Sequence, residues 1–136
     1  MLSEDMTIEE VRAFFTEDRF ATEACGAAIV SAGRGHAVCE MTLEKTHLNA
    51  MGNVMGGAIF TLADFALAVA CNIGEAPTVS VSNTIEFLNT AKGSRLIAEC
   101  SADKSGRSIG FYTVKVRDDQ GTPVAKMCAT CARKVS

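Results

Sequence analysis

Tryptophan is absent from this sequence of 136 residues, and only one tyrosine and two prolines occur. Aromatic residues make up 6% and hydrophobic residues 48%, so the core must come mainly from alanine and the aliphatic residues. That hydrophobic share, with 21% charged residues, excludes a disordered chain, and the length fits one domain, residues 1–136, better than two. Small apolar side chains let backbones approach closely, which favours tight helix–sheet or subunit packing.

Clusters of positive charge and long apolar runs are missing as well. No more than two Lys or Arg residues are adjacent and the net charge is −3, so we expect no nucleic-acid partner. The longest apolar run, residues 58–71, is interrupted by Thr61 and Asp64 and is shorter than the ~20 residues of a membrane-spanning helix. The first ten residues have neither the basic start nor the apolar segment of a signal peptide. We therefore expect a cytoplasmic protein with no membrane partner.

The six cysteines predict neither a metal site nor a disulfide framework. Cys128 and Cys131 form a single CxxC pair, without the second pair that a zinc site needs. They lie in a predicted strand, where residues three apart point to opposite faces. Without an export signal, reduced core thiols are favoured over disulfides. We expect no metal and no redox cofactor.

The predicted element order is a short helix, two strands, a long helix and four strands. Thr7 and Glu10 have the spacing of a capping box, so the N-terminal helical segment, residues 1–20, is expected to contain a helix that ends near Phe15. The other predicted elements are strands at Ala24–Ser31 and His36–Leu43, a nearly all-apolar helix at Gly56–Ile73 that stops at Gly74, and strands at Thr78–Leu88, Arg95–Ala102, Ser108–Arg117 and Val124–Lys134.

Short connections require antiparallel pairing of the last four strands, so the predicted class is α+β: one long central helix wrapped by a curved antiparallel β-sheet. Such a single layer leaves a sheet edge and part of the helix uncovered, and a homodimer would cover both. Strict alternation places Ser80, Ser82, Thr84 and Glu86 on one face of the strand after the long helix.

Two features of the long helix carry potential chemistry. Asp64 has the apolar neighbours Phe60, Leu67 and Ala68, and burial of a carboxylate would raise its pKa and suit it to act as a base or nucleophile. The alternative is a carboxylate that faces solvent. The pair Gly56–Gly57 leaves N–H groups open at the helix start, which suits an oxyanion hole, although a glycine pair also serves simple steric needs.

The spacing of these two features predicts where a joint site would lie. From Gly56 to Asp64 is about 12 Å along a helix at ~1.5 Å per residue, too far for one small carbonyl to contact both. Two antiparallel copies of the helix would bring Gly56 of one chain beside Asp64 of the other. A site that uses both would therefore be shared between subunits.

Residues 47–66, HLNAMGNVMGGAIFTLADFA, resemble the pattern N-x-x-G-x-x-H-G-G-x-x-x-x-L-x-D-x-A of hotdog-fold acyl-CoA thioesterases. The most similar subgroup includes phenylacetyl-CoA thioesterase. The strand residues Ile85–Leu88, Lys92-Gly93 and the turn Gly106-Arg107-Ser108 extend the resemblance from about residue 35 to the C-terminus. It implies a hotdog fold, hydrolysis of an acyl-CoA in which coenzyme A is substrate and not cofactor, and a homodimer that pairs into a dimer of dimers.

The resemblance also implies roles for individual residues. Asp64 would be the general base or nucleophile, Gly56 the oxyanion amide, and Asn49 an orienting group. Ser82 falls where some members carry a hydroxyl near the attacking water. The expected substrate-binding residues are Met55, Gly57, His47, Arg107 and Lys104.

One position departs from the family pattern. Met55 replaces the histidine before the glycines, and methionine cannot donate a hydrogen bond. His47 is two residues before Asn49 and could compensate in part; the alternative is a loop histidine that faces solvent. This departure leaves a non-catalytic acyl-CoA-binding protein as an alternative. A hydroxyacyl-thioester dehydratase is a less favoured alternative, because the catalytic histidine that such enzymes use would be missing.

Overall fold

The computed structural model describes residues 2–134 and confirms the predicted order of elements. The helices are α1 (Ile8–Phe15) and α2 (Gly56–Asn72). The strands are β1 (Ala28–Gly33), β2 (His36–Thr42), β3 (Thr78–Phe87), β4 (Arg95–Ser105), β5 (Ile109–Asp118) and β6 (Pro123–Arg133). All six strands form one antiparallel sheet in the order β1-β2-β4-β5-β6-β3, which packs against α2 and leaves β1 and β3 at its edges.

The capping box at the start of α1 is confirmed. The Glu10 amide donates to Thr7 Oγ1 (3.2 Å), and the Thr7 amide donates to Glu10 Oε1 (3.0 Å). This pairing satisfies two N–H groups that the first turn of a helix leaves without backbone acceptors. Val11 and Phe15 point into the core, where Phe15 meets Phe65 of α2 edge to face. The N-terminal segment is thereby fixed against α2.

The first strand begins four residues later than predicted, at Ala28 instead of Ala24. Residues Phe20–Ala24 form a single π-helical turn, closed by a bond from the Cys25 amide to the Phe20 carbonyl (3.0 Å). Gly26, at φ +77°, then reverses the chain into the strand. The turn keeps Phe20 and Ala21 beside α2 instead of in the sheet.

The long helix is buried on most sides, as its composition predicted. It ends at Asn72, and Gly74 follows with φ +71°, a conformation that glycine adopts without strain. One stripe is less covered: Gly57 and Asp64 are exposed, and Thr61 and Ala68 are half-buried. These residues recur every three or four positions, so they share one side of the helix.

Strand β3 lies along α2 in the opposite direction. The side chain of Asn72, at the end of α2, holds Thr78 through bonds to its amide (2.8 Å) and its carbonyl (3.2 Å). At the other end, the ring of Phe87 lies against Gly56, where an added Cβ would come within 3.2 Å of Cζ. The middle of β3 is therefore level with the middle of α2, which is the position of Asp64.

The predicted shared face is confirmed for Ser82, Thr84 and Glu86, which are all exposed, but it is wrong for Ser80. Ser80 pairs with Cys131 and Ser82 pairs with Thr130, so Val81 is an extra, bulged residue that breaks the alternation. Asn83 lies on the same side as Ser80, because its Nδ2 donates to Ser80 Oγ (3.1 Å). Ser82 is exposed, whereas Ser80 and Asn83 are half-buried.

The two cysteines of the CxxC pair lie on opposite faces of β6, as alternation predicted: Cys128 is exposed and Cys131 is buried. Within residues 2–134 all six cysteines are free thiols. No helix in this part of the chain is long and apolar enough to cross a membrane.

Candidate active site

The start of α2 presents two open backbone donors. Met55 is the residue before the helix and supplies no side-chain cap, and its carbonyl accepts from the amides of Ala58 (3.0 Å) and Ile59 (3.2 Å). The amides of Gly56 and Gly57 have no acceptor among the residues that the structure describes. Unpaired N–H groups and the positive end of the helix dipole favour a negatively charged oxygen at this point.

A cavity of about 410 Å³ opens beside these donors. Gly56 and Ile59 of α2 form one wall, and Phe87 with the residues after β3 forms another. Phe87 and Leu88 are 53% and 51% exposed in the isolated chain, so apolar surface faces the cavity mouth. Met55 is 56% exposed at the same end of the helix.

The loop before α2 is held together by Asn49. Its Oδ1 accepts from the amides of Met51 (2.9 Å) and Asn53 (3.1 Å), and its own amide donates to the Asn53 carbonyl (2.7 Å). The side-chain oxygen is therefore engaged in shaping the loop, and the Nδ2 group is the part of Asn49 that is left to meet a substrate or a water molecule.

The alternative in which His47 faces solvent is wrong, since the residue is only 4% exposed. Its Nδ1 lies 3.0 Å from the Glu44 amide, from which it accepts, and its Nε2 lies 2.8 Å from the Cys25 carbonyl. A carbonyl can only accept, so the ring proton sits on Nε2 and both nitrogens are used within the chain. His47 joins the loop before α2 to the end of the π-helical turn, and neither nitrogen is left to replace the histidine that Met55 displaces.

Asp64 lines a second cavity, of about 330 Å³, on the uncovered side of α2. Its other walls are Phe60, Thr61 and Phe65 of the helix and residues 18–21 of the N-terminal segment. The pKa of Asp64 is raised, mainly because its apolar surroundings desolvate the carboxylate and secondly because the negative charge of Asp18 is near. A raised pKa is what a carboxylate needs to accept a proton from water.

Within one chain the two cavities have no lining residue in common. Gly56 belongs to the first and Asp64 to the second, and they are separated by the predicted ~12 Å of helix. The chain therefore does not bring its own oxyanion donors and its own carboxylate to one point.

The bulge at Val81 is the feature of β3 that sequence reasoning missed. It puts Ser80 on the same side of the strand as Asn83 and leaves Ser82 exposed on the other side. Asn83 Oδ1 is buried and has no hydrogen-bond partner within residues 2–134. A run such as Ser80–Asn83 contains no glycine or proline that would have marked the bulge.

Lys104, near the end of β4, and Arg107, in the turn between β4 and β5, are exposed. Arg133 ties this turn to the far end of α2, since its guanidinium donates to the carbonyls of Gly106 (2.9 Å) and Cys71 (3.1 Å). The two cations consequently lie one helix length, about 25 Å, from Gly56 of their own chain. Lys104 and Arg107 could therefore contact only a substrate that reaches the end of α2 opposite Gly56.

Comparison with known proteins identifies the family. The model of the thioesterase superfamily matches residues 51–125. The acyl-coenzyme A thioesterase PaaI of Escherichia coli is 33% identical over 118 residues, which are 86% of this chain and 84% of that protein. The crystal structure of E. coli PaaI, from the phenylacetic acid degradation operon, superposes with a TM-score of 0.83 at 27% identity and covers 96% of this chain and 98% of that one.

A structure of a Streptococcus mutans protein bound to acetyl CoA is also similar, with a TM-score of 0.75 at 25% identity over 79% of this chain and 88% of that chain. These matches agree with the fold and with the motif at the start of α2. The chain belongs to the thioesterase superfamily, has the predicted α+β hotdog fold and is a thioester hydrolase.

Proposed function

We propose that the protein is an acyl-CoA thioesterase whose active site is shared between two copies of the chain. The observation that carries the proposal is the pair of unpaired amides at Gly56 and Gly57, next to a cavity at the positive end of a buried helix. Donors fixed in this way stabilise a developing oxyanion without having to reorganise during the reaction. The acyl-CoA substrate class is supported by the name of the E. coli relative and by the acetyl CoA bound to the S. mutans protein.

The proposed reaction uses Asp64 and Gly56 at the two sides of the thioester. Asp64 takes a proton from water, whose oxygen attacks the carbonyl carbon. Alternatively Asp64 attacks that carbon itself, and water hydrolyses the resulting mixed anhydride after the thiolate has left. The carbonyl oxygen becomes negative and accepts a bond from the Gly56 amide. The C–S bond then breaks, coenzyme A leaves as a thiolate and takes up a proton, and the free acid remains. Thiolate is a good leaving group, so the proposal needs no metal and no redox cofactor.

A homodimer is proposed because two surfaces of the chain fit one. The stripe of Gly57, Thr61 and Asp64 is uncovered, and its small residues permit close approach of a second helix. Strand β3 is an unpaired edge, with Val79 66% and Val81 62% exposed. Two antiparallel copies of α2 would place each Asp64 beside Gly56 of the partner subunit.

The other site residues take supporting roles in the proposal. Asn49 shapes the loop beside the oxyanion donors, and Ser82 of β3 is the hydroxyl that we place near the attacking water. Lys104 and Arg107 would meet the phosphates of coenzyme A, since both are cationic and lie far from the oxyanion donors of their own chain. Met55 gives the carbonyl site an apolar wall in place of a hydrogen-bond donor.

Thiol release from a panel of acyl-CoAs tests the proposal. Asp64→Asn is expected to lower kcat by at least about 100-fold, the range in which a general base contributes, while the dimer stays intact. Asp5→Asn, a change of the same chemistry at an exposed residue outside both cavities, is the control and should match the wild type.

Met55 favours one second candidate, an acyl-CoA-binding protein without turnover. Calorimetric binding of the thioesters with no release of thiol by the wild type would replace the proposed enzyme with this candidate. Full activity of Asp64→Asn would retain the enzyme and remove Asp64 from its mechanism.

A further inference from the structure

A second carboxylate lies in the cavity of Asp64. The end of α1 and the π-helical turn bring residues 18–21 across the uncovered side of α2, and Asp18 lines the same cavity of about 330 Å³ as Asp64. The contact between Phe15 and Phe65, with ring centroids 6.1 Å apart, fixes this segment on the helix. The position of Asp18 therefore follows from core packing and not from a mobile loop.

The carboxylate of Asp18 is not neutralised by its neighbours. Its side chain accepts no hydrogen bond within the described part of the chain; its backbone carbonyl accepts from Thr22, and its backbone amide donates to the Phe15 carbonyl (3.0 Å). Among the residues that the structure describes, Arg19 is the one cation that lines the cavity, and its guanidinium is held by Glu17 and Glu23, each at 3.0 Å. The charges that face Asp64 from the N-terminal segment are thus one free carboxylate and one cation that two other carboxylates already bind.

The remaining surroundings of Asp64 add little compensating charge. Its neighbours in the cavity from α2 are Phe60, Thr61 and Phe65, none of which titrates. From the sheet side, the thiol of Cys131 on β6 is the titratable group that senses the Asp64 charge. Two like charges in one partly buried cavity repel, and protonation of either one relieves the repulsion.

We propose that Asp18 is a positioning residue that makes Asp64 a stronger base, and this inference rests on the proposed function of Asp64. The negative charge of Asp18 disfavours the ionised form of Asp64, so that the carboxylate binds the proton of the attacking water more firmly in the transition state. The N-terminal segment thereby belongs to the active site, although Asp18 lies 29 residues before residue 47, where the motif that marks the family begins.

The direction in which both pKa values are shifted agrees with this role. Burial raises the pKa of Asp18, and desolvation together with the Asp18 charge raises the pKa of Asp64. At a pH between the ordinary aspartate pKa and these raised pKa values, the two groups hold a proton that isolated aspartates would release. The titration of Asp64 therefore depends on the charge of Asp18.

The test is the pH profile of kcat for Asp18→Asn, with Asp18→Glu and Asp5→Asn as controls. Removal of the charge should move the acid limb to lower pH and reduce kcat at neutral pH, because Asp64 becomes a weaker base. Asp18→Glu keeps the charge and should keep the wild-type limb, and Asp5→Asn should leave it unchanged. Added salt should move the limb of the wild type to lower pH and that of Asp18→Asn much less, since salt screens the repulsion.

The outcomes separate this inference from the proposed function. If Asp64→Asn abolishes turnover while Asp18→Asn keeps the wild-type acid limb, the role of Asp18 is wrong and the proposed function stands. If Asp64→Asn keeps full activity, the proposed role of Asp64 is wrong, and the role of Asp18, which rests on it, is wrong as well. A carbon-detected NMR titration of the Asp64 carboxyl in both backgrounds reads the same shift without turnover, and an identical titration in the two proteins overturns the inference.

Discussion

Gly56→Pro removes one backbone N–H from the start of α2 and leaves the helix intact. Proline is well tolerated at the first position of a helix, where the N–H has no intrahelical acceptor to lose. The preceding residue, Met55, already has φ −66° and ψ 137°, the extended conformation that a residue before proline prefers. The fold should therefore survive, and the loss should be confined to the amide that we assign to the oxyanion.

The magnitude follows from the role of that amide. Removal of one oxyanion donor costs roughly 100- to 1,000-fold in kcat, or about 2.7–4 kcal/mol. KM should change little, because the bond strengthens only as the carbonyl oxygen gains charge. Initial rates of thiol release from the best acyl-CoA, with thermal unfolding measured on the same preparations, give both quantities.

Gly56→Ala is the matched control, since it adds a Cβ and keeps the N–H. The new atom would lie 3.2 Å from Phe87 Cζ, and the half-exposed ring can yield by the few tenths of an ångström required. Its kcat should stay within about threefold of the wild type. A Gly56→Pro enzyme within about tenfold of the wild type would refute the oxyanion role, and equal losses in both variants would assign the effect to steric access.

Three further predictions concern the site wall and the fold. Met55→His should raise kcat by up to about tenfold by restoring a donor near the carbonyl, measured by thiol release; no change would show that the backbone donors suffice. Gly93→Ala places a Cβ on Asp119 Oδ1 and breaks the bonds of Asp119 to Ser94, which should lower the free energy of unfolding in urea by about 1–3 kcal/mol. Burial opposes the charge of Asp118, yet bonds from backbone amides of two adjoining turns lower its pKa to about 2. Its stabilising effect is therefore present above the ordinary aspartate pKa and lost as pH falls towards 2, so the stability gap between wild type and Asp118→Asn should narrow in acid urea titrations.

Much of the fold follows from local sequence patterns. Nearly continuous small apolar residues with glycine at each end predict α2, and Thr7 with Glu10 predicts the start of α1. The two departures arise from single-residue irregularities. Neither the π-helical turn at Phe20–Ala24 nor the bulge at Val81 has a distinctive amino-acid composition, because each depends on how the chain must bend to follow α2.

The candidate site also contains residues that local sequence predicts and residues that only tertiary contacts place. Gly56 and Asp64 could be predicted because their chemistry depends on their own helix. His47 could not, since its partners are the Cys25 carbonyl and the Glu44 amide, and the former lies 22 residues away. The side on which Ser80 lies was missed because the added residue Val81 inverts the alternation, and Asp18 was missed because only packing of α1 on α2 brings it to Asp64.

Complementation between two inactive variants tests the shared site most directly. Each dimer of Asp64→Asn alone or Gly56→Pro alone has two defective sites. A mixed dimer has one site with both defects and one site with neither, because each site takes Gly56 from one chain and Asp64 from the other. Co-expression in equal amounts should restore about a quarter of the wild-type specific activity, since half of the dimers are mixed and half of their sites are intact. Activity no higher than the mean of the two single variants, in dimers shown by mass spectrometry to be mixed, would contradict the shared site.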